Sequence, residues 1–557
     1  MARCVRELPD KVNRMLPGLA RFTAIGQGFG MRQDFDCDVI ICGGGPVGMG
    51  LAIDLGQRGV RTVVVERYPD PQPIPKGQNL TQRTAEHFRA WGCEDALRRA
   101  HPLPEGAGTG GVNCYGTLLG DYSYSWINRS AVTAYYAADN IRLPQYETEN
   151  VLRARAAELN TVEVFYGWSG TTVAQSDDSV TLTIAEHNGP AQRPLTGRYL
   201  VGCDGSNSTV RTSAGLTQTR NDHDRQMALV VFRSTDLHDL LGRYPGKAFF
   251  NALHPDFEGY WQFFGRVDVG HSWFFHAPVP VGTTADGFDF AAMIHRAVGA
   301  EFALDIDHVG FWDLRFACAD SYRAGRVFVA GDAAHSHPPY GGFGINIGLE
   351  DARNLGWKLA ARIAGGAQAL LDSYDAERRP VFQSTAQNFI GRFIEEDRDF
   401  LATYNPSRDR AAFEAAWANR AGGDASVTAY EPNYEGSPIV PSQADRTPGA
   451  IGDHQFRARA GHHLAPQPAA QATTTFDHLS DSFTLLMAQD RASGELARSF
   501  RATAGQLGVP LSIRDVLVQS AVDQYGAPLI LVRPDHFVAW AGESCEPLDV
   551  LRTAIGG

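Results

Sequence analysis

Cysteine is scarce in this chain and poorly placed for chemistry. The eight cysteines among 557 residues stand at 4, 37, 42, 93, 114, 203, 318 and 545, with no C-x-x-C pair and no histidine cluster beside them. Zinc sites and thioredoxin-type dithiols need closely spaced ligands or thiol pairs, so no metal is expected and dithiol-dependent redox chemistry is excluded. Cys42 and Cys203 fall in apolar runs, where a thiol serves as a small core residue. Positive charge is also in deficit, with 50 Lys and Arg against 63 Asp and Glu, a net charge of −13. A nucleic-acid partner needs a basic face, so none is expected, and the acidity speaks for solubility. No uninterrupted apolar run approaches the roughly 20 residues of a membrane span. The mildly basic first 33 residues lack the apolar centre of a signal peptide. A cytoplasmic protein with no membrane partner is the expectation.

Glycine, by contrast, is plentiful at 58 residues, and three glycine-bearing segments carry the functional reading. In the first, the apolar run Val327-Phe328-Val329-Ala330 ends in Gly331-Asp332. A turn through His335, His337, Pro339, Tyr340, Gly342 and Gly344 follows, then a helical pattern from Asn346 to Arg362. Backbone amides of the turn and helix start would converge where the helix dipole favours negative charge. The pyrimidine edge of a reduced flavin carries such a charge, and an acid just after a strand can hold a ribityl hydroxyl.

The second segment is Asp38-Val39-Ile40-Ile41-Cys42-Gly43-Gly44-Gly45-Pro46-Val47-Gly48, a buried strand running into G-x-G-x-x-G and a helix from Pro46 to Arg58. Gly43 permits the tight turn, Gly45 lets backbone approach a pyrophosphate, and Gly48 lets helix and strand pack closely. A second apolar run, Arg61 to Val65, ends at Glu66, which can accept from both adenosine ribose hydroxyls. The pattern alone is weak in a glycine-rich chain. Gly106-Ala107-Gly108-Thr109-Gly110-Gly111 also fits it, but Pro102 and Pro104 stand where the strand should be.

The third segment, Tyr199-Leu200-Val201-Gly202-Cys203-Asp204-Gly205, delivers another Asp-Gly pair, followed by Ser208 and Arg211. Together the three resemble the flavoprotein aromatic hydroxylases, the single-component FAD-dependent monooxygenases with the fold of p-hydroxybenzoate hydroxylase and phenol hydroxylase. The family's fingerprint falls on Gly43, Gly45, Pro46, Gly48, Glu66 and Arg67. Its Asp-Gly motif, serving FAD and the transient nicotinamide, falls on Asp204, Gly205 and Arg211. Its Gly-Asp motif falls on Gly331 and Asp332, with Pro339, Gly342, Gly344, Ile345 and Asn346 continuing the match. Lys76 stands where many relatives have an Arg reaching the phosphates, keeping the charge without the bidentate fork, and Gln82 lies in the same FAD-contacting stretch. Phe343 stands where relatives often have Gln.

The resemblance implies an α/β fold: a Rossmann-like FAD-binding domain, discontinuous over 34–218 and 315–400, with an antiparallel substrate-binding sheet inserted at 219–314. Alternating runs at Met227–Phe232, Tyr260–Phe264 and Ser272–His276 read as its clearest strands. Residues 401–445 read as a helix end and a Gly/Pro/Ser/Asn-rich linker. Strand-like runs at 481–486 and 527–540 resemble the thioredoxin-like C-terminal domain of phenol-hydroxylase relatives, here at 446–557. Residues 1–33 read as an N-terminal extension. A homodimer is the assembly the resemblance implies.

It also implies the reaction. NADPH or NADH would deliver hydride to FAD and leave, O2 would add to give a flavin C4a-hydroperoxide, and one oxygen would pass to a phenolic or hydroxylated heteroaromatic ring. The protein must supply a dry pocket and something that keeps the ring activated. Candidates for activation are His276, His337, Tyr340 and Pro339, and a neutral imidazole at His276 would accept a phenol proton. Trp261, Phe263, Trp273 and Phe275 are candidates to line the substrate, with Arg315 for a substrate carboxylate, although sheet core and structural ion pairing account for them equally well. Two other readings remain: an epoxidase or saturating reductase on the same scaffold, and a non-catalytic flavin-binding protein.

Overall fold

The computed structural model describes residues 35–103, 108–221, 225–421, 425–441 and 445–557. The expected extension at 1–33 and the start of the misleading glycine run, Pro104 to Ala107, lie outside them.

The apolar runs that flank the glycine motifs become neighbouring strands. Val39–Cys42 lies fully buried between Thr62–Glu66 and Tyr199–Gly202, parallel to both, with Val39 opposite Thr62 and Tyr199. Val327–Val329 and Val162–Tyr166 extend the parallel array, and Arg323–Ala324 closes one edge antiparallel. A strand covered on both faces must be apolar on both, which is why these runs do not alternate. On one face Val39, Ile41, Val64 and Phe328 pack under the helices Pro46–Gln57 and Gly344–Ile363. On the other, Ile40, Cys42, Val63 and Leu200 meet a three-stranded antiparallel sheet of Trp168–Gln175, Val180–Glu186 and Gln192–Gly197.

A second, seven-stranded sheet runs in the order Asp305–Asp313, Arg225–Arg233, Ser272–Pro280, Gln262–Arg266, Lys247–Leu253, Gly110–Tyr115 and Ser123–Trp126. The insertion expected at 219–314 therefore supplies five strands, and two more come from within the stretch assigned to the FAD domain. The misleading glycine run enters the strand Gly110–Tyr115, not a helix, and pairs parallel with Lys247–Leu253. One face of this sheet, with Phe250, Phe264, Trp273 and Phe275, is sealed by the helix Phe290–Val298.

Towards the C-terminus the strands Leu511–Leu517, Phe483–Ala488, Leu529–Val532 and Val538–Gly542 form a sheet in that order, the first pair parallel and the rest antiparallel. The helix Arg491–Leu507 makes the crossover, started by the Asp490 carboxylate on the Ser493 amide. This β-α-β followed by a β-hairpin and the helix Pro547–Ala554 is a thioredoxin-like topology. The stretch read as a linker is more ordered than its composition implies. It holds the helix Arg410–Ala421, whose Phe413 and Trp417 pack against Tyr115 and Phe400, and the strand Tyr430–Asn433, paired with Gly449–Ile451. Among the described residues no helix is long and apolar enough to cross a membrane.

Candidate active site

The first glycine motif is built by exclusion. Gly43 turns at φ +106°, and a Cβ there would strike the Cys203 carbonyl; one on Gly48 would strike the Gly43 carbonyl. Gly45 differs, since a Cβ there would meet nothing within 4 Å, so its small size answers to no protein neighbour. The helix it precedes has Pro46 in its first turn, no side-chain cap and no acid in that turn, leaving its first amides free. Glu66 closes the motif from the next strand, accepting from the Gly44 amide at 2.6 Å and the Tyr68 amide at 2.8 Å. Arg67 is exposed beside it, over the Tyr68 ring.

The Gly-Asp turn packs directly on that helix. A Cβ on Gly331 would stand 2.9 Å from Val47, and one on Gly348 would stand 2.6 Å from the same side chain. Val47 thus draws together the first turn of Pro46–Gln57, the turn at Gly331 and the front of Gly344–Ile363. That second helix also starts with no side-chain cap and no acid in its first turn, at the half-buried Gly344 and Ile345. Two unneutralised helix N-termini in one place make a strong anion seat. Behind the turn, Asp351 accepts from the Gly331 amide at 3.0 Å, pairs with His335 Nε2 at 2.7 Å and receives Arg378 at 2.7 Å. Arg211 bridges the two Asp motifs, donating to the carbonyls of Ala333 and Ser206. Asp204 is engaged by the Ser208 hydroxyl and the Val210 amide, with Gly205 next to it in the loop. Asp332 has exposed surface yet protein on all sides, and desolvation raises its carboxyl above the usual range while His335 and Lys76 pull it down. That combination belongs to a group facing an internal cleft.

The seven-stranded sheet covers this cleft with the face that the helix leaves open. Across it the register aligns Leu229, His276, Phe263, Asn251, Asn113 and Tyr124 in one row. The row approaches the glycine-motif domain where Arg142 lies 4.5 Å over the Phe249 ring and Ile74 packs with Phe263 and Phe274. His276 sits among Phe263, Phe274 and Trp312, its Nε2 buried without a partner, and burial pushes its pKa down to about 3.

Several expected residues take other roles. Trp273 and Phe275 point to the opposite face, under the helix Phe290–Val298, because alternation puts them out of phase with Phe274 and His276. Trp273 Nε1 donates to the Ser234 carbonyl there. Trp261 lies just before its strand, 4.4 Å from the Tyr340 ring, with Nε1 donating to Asp397. The Tyr340 hydroxyl accepts from the Trp261 amide, tying this turn to the sheet, and its desolvated surroundings hold its pKa well above the ordinary phenol value. His337 donates from Nδ1 to the Pro338 carbonyl, leaves Nε2 unpartnered and is held to a pKa of about 4 by burial. Pro339 caps the short turn Tyr340–Gly342. The Gln82 amide is turned away, donating to the Arg129 carbonyl at 2.6 Å. Asn346 uses its side chain to tie Asn79, Thr81, Thr84 and the Gly342 carbonyl together, so only its backbone is available to a ligand. Arg315 is paired with Asp313 at 3.3 Å.

Two free helix starts, an open approach at Gly45, a ribose-reaching Glu66 and a cleft-facing Asp332 fit an FAD laid from pyrophosphate to flavin. A family model described as an FAD binding domain matches residues 36–389, and one described as the C-terminal domain of aromatic-ring hydroxylases matches 458–556. The chain belongs to the FAD-dependent aromatic hydroxylases. This hydroxylase is 30% identical to 4-methyl-5-nitrocatechol 5-monooxygenase of Burkholderia sp over 91% of its own length and 94% of the relative's. It is 31% identical to a putative polyketide hydroxylase of Streptomyces halstedii, over 92% and 94%. Among solved structures it resembles the rebeccamycin biosynthetic enzyme RebC with reduced flavin, at 27% identity and TM-score 0.79, covering 94% and 99% of the two chains. Aklavinone-11 hydroxylase with FAD and aklavinone matches at 25% identity and TM-score 0.77, covering 94% and 100%. The hydroxylase is thus an FAD-dependent aromatic monooxygenase, with O2 as co-substrate.

Its sequence gave no sign of Asn113, Asn251 and Tyr124, which share the inner face of the sheet. Asn251 donates to Asn113 Oδ1 at 2.9 Å and Asn113 to the Tyr124 hydroxyl at 2.7 Å, while Asn251 Oδ1 is buried without a partner. A single asparagine inside each of two largely apolar strands, Asn113 in Gly110–Tyr115 and Asn251 in Lys247–Leu253, was the available signal.

Proposed function

We propose that this enzyme hydroxylates a phenolic or hydroxylated heteroaromatic ring at the expense of NADH or NADPH, with His276 as the hydrogen-bond acceptor that orients and polarises the ring hydroxyl. The observation that carries the reading is His276 itself, neutral, unpartnered at Nε2 and enclosed by aromatic rings on the face that looks toward the flavin turn. A phenol becomes a better nucleophile as electron density builds on its oxygen, and an imidazole kept neutral by burial accepts a hydrogen bond from the hydroxyl and polarises it, while a pKa of about 3 makes the ring too weak a base to take the proton outright. Phe263 and Phe274 flank the same space and exclude water. Bound FAD supplies the acceptance of hydride from the nicotinamide and the activation of O2 for electrophilic transfer to the ring. Gly43, Gly45, Pro46, Gly48 and Glu66 would hold its adenosine and pyrophosphate, Asp332 its ribityl chain, and the amides at Gly344 to Asn346 the flavin edge. Asp204, Gly205 and Arg211 would serve both FAD and the visiting nicotinamide. The relatives are named for a nitrocatechol and for polyketides, so both small and large phenols belong in the test.

The test is NAD(P)H oxidation by the FAD-loaded protein against phenols, hydroxypyridines and polyketide-like phenols, with product mass spectrometry. One ring should accelerate oxidation many-fold and gain one oxygen. A flavoprotein that no aromatic stimulates would move the reading to an epoxidase, a saturating reductase or a flavin-binding protein without catalysis.

A further inference from the structure

The buried Arg353, Arg378 and Arg533 face carboxylates and the buried Arg211 faces backbone carbonyls, whereas Arg142 faces neither. It is 4% exposed, at the end of a two-residue strand, with its guanidinium stacked 4.5 Å over the Phe249 ring and its Nε without a hydrogen-bond partner. Among the described residues no acid pairs with it. Burial and the like charge of Arg129 together push its pKa down to about 9. A guanidinium nevertheless keeps its proton near neutrality, so the site holds a desolvated positive charge awaiting a counter-ion.

A second orphaned donor lies beside it. Asn79 is the direct cross-strand partner of Arg142, so their side chains project on the same side, and Asn79 Nδ2 is also buried with no acceptor. The location is specific. The Asn79 side chain is 3.4 Å from where a Cβ on Gly342 of the flavin turn would stand, and the Asn79 carbonyl accepts from Asn346 at the head of the following helix. On the other side, the Phe249 ring packs 5.7 Å from Phe263, in the row that carries His276 and the unpartnered Asn251 Oδ1. The two donors therefore lie between the flavin turn and the ring-lined face of the sheet.

We propose that the substrate carries an ionised carboxylate on or beside the ring to be oxygenated, and that Arg142 and Asn79 receive it. The proposal rests on the reading of the cleft as an aromatic-hydroxylase pocket. Stacking on Phe249 fixes the guanidinium plane, and a planar fork matches a carboxylate through two parallel hydrogen bonds. A neutral phenol would leave the charge buried and unpaired. With the carboxylate at Arg142, the ring lies toward Phe263 and a ring hydroxyl toward His276 and Asn251.

The test is a flavin-absorbance titration of the FAD-loaded enzyme with hydroxybenzoates and hydroxynaphthoates and with the methyl ester of each, alongside product analysis. Acids should bind the wild type about 10- to 100-fold more tightly than their esters, the range of a charge-assisted pair. Arg142→Met should abolish that preference and Arg142→Lys should keep part of it, both with FAD content and flavin spectrum unchanged. Equal binding and hydroxylation of acids and esters by the wild type would overturn the inference and leave the hydroxylase reading intact. So would an Arg142→Lys protein that loses FAD while keeping its acid preference, because Arg142 would then serve the cofactor. If no acid or ester perturbs the flavin or gains oxygen, both the inference and the reading fall. The wild-type comparison does not depend on any variant folding.

Discussion

Two regions of this molecule bury polar groups equally deeply and treat them in opposite ways. Beneath the thioredoxin-like domain the carboxylates are crowded with donors. Glu377 accepts from Arg533 at 2.6 and 2.9 Å, Lys358 at 2.6 Å, Asn354 at 2.7 Å and Ser437 at 2.6 Å, and these partners hold its carboxyl well below the usual range. Asp535 takes Arg533 and the Trp357 indole, and Glu350 takes Arg83 and His87. On the inner face of the sheet and the two-stranded pair beside it, His276, Asn251 and Arg142 are as deeply placed, and Asn79 nearly so, but each keeps an atom with no partner. Burial therefore does not mark the site, and single orphaned nitrogens also occur in the paired region, at His87 Nδ1, Arg353 Nε and His536 Nδ1; what marks the site is a group of orphaned atoms gathered beside the flavin turn. The first region fixes the helix Gly344–Ile363, whose front end would meet the flavin, and on the readings proposed above the second would be completed by a ligand.

The largest test of that contrast breaks the paired region. Glu377→Ala leaves Lys358 and Arg533 buried without their shared carboxylate, a loss of about 3–5 kcal/mol. A marked fall in melting temperature and protease sensitivity near residue 440 are expected. A change under 1 kcal/mol would show that water enters and compensates the cations. Next comes the unpaired region, where His276→Leu should lower kcat about 100-fold, roughly 2.7 kcal/mol, without loss of stability at neutral pH. The sign with pH is fixed by its depressed pKa. The folded state binds fewer protons than the unfolded one between about 3 and about 6.5, so the wild type loses stability relative to His276→Leu as pH falls through that window. Urea midpoints of both proteins at pH 7.5 and 5 read this directly, and parallel curves would mean that His276 is solvated. Smaller again, Gly45→Ala adds a Cβ that meets no protein atom within 4 Å and should leave the apoprotein's stability within about 0.5 kcal/mol while weakening FAD at least about tenfold. Equal FAD affinity would place the pyrophosphate elsewhere.

What the sequence disclosed follows the same division. The glycine motifs were legible because each is a local strand-turn-helix whose residue types are dictated by contacts a few positions away, such as Gly48 against Gly43. The phase of Ser272–Pro280 was not, because this strand is buried on both faces nearly throughout, so no alternation of polar and apolar residues separates Trp273 and Phe275 from Phe274 and His276. The strand Gly110–Tyr115 was missed because it opens on two glycines and pairs with Lys247–Leu253 far along the chain, and Ser123–Trp126 because it is a four-residue edge strand paired only with the first. Gln82 fits a cofactor-contacting stretch, but only the fold turns its amide onto Arg129. Arg142 and Asn79 meet through a pair of two-residue strands, too short to leave a periodic signal.

The smallest expected effect separates two arginines that the sequence alone treats alike. Arg315 was the residue read as a carboxylate receiver, yet it is 38% exposed at its side chain and already paired with Asp313, itself 54% exposed. An exposed pair of this kind contributes about 0–1 kcal/mol and is screened by salt. Arg315→Ala should therefore change stability by less than about 0.5 kcal/mol and the KM of an aromatic acid by less than about twofold. A larger rise in KM, confined to acids and absent for their esters, would mean that Arg315 leaves Asp313 when substrate arrives, and the substrate's charge would then be read at the sheet's outer edge and not beside the flavin turn.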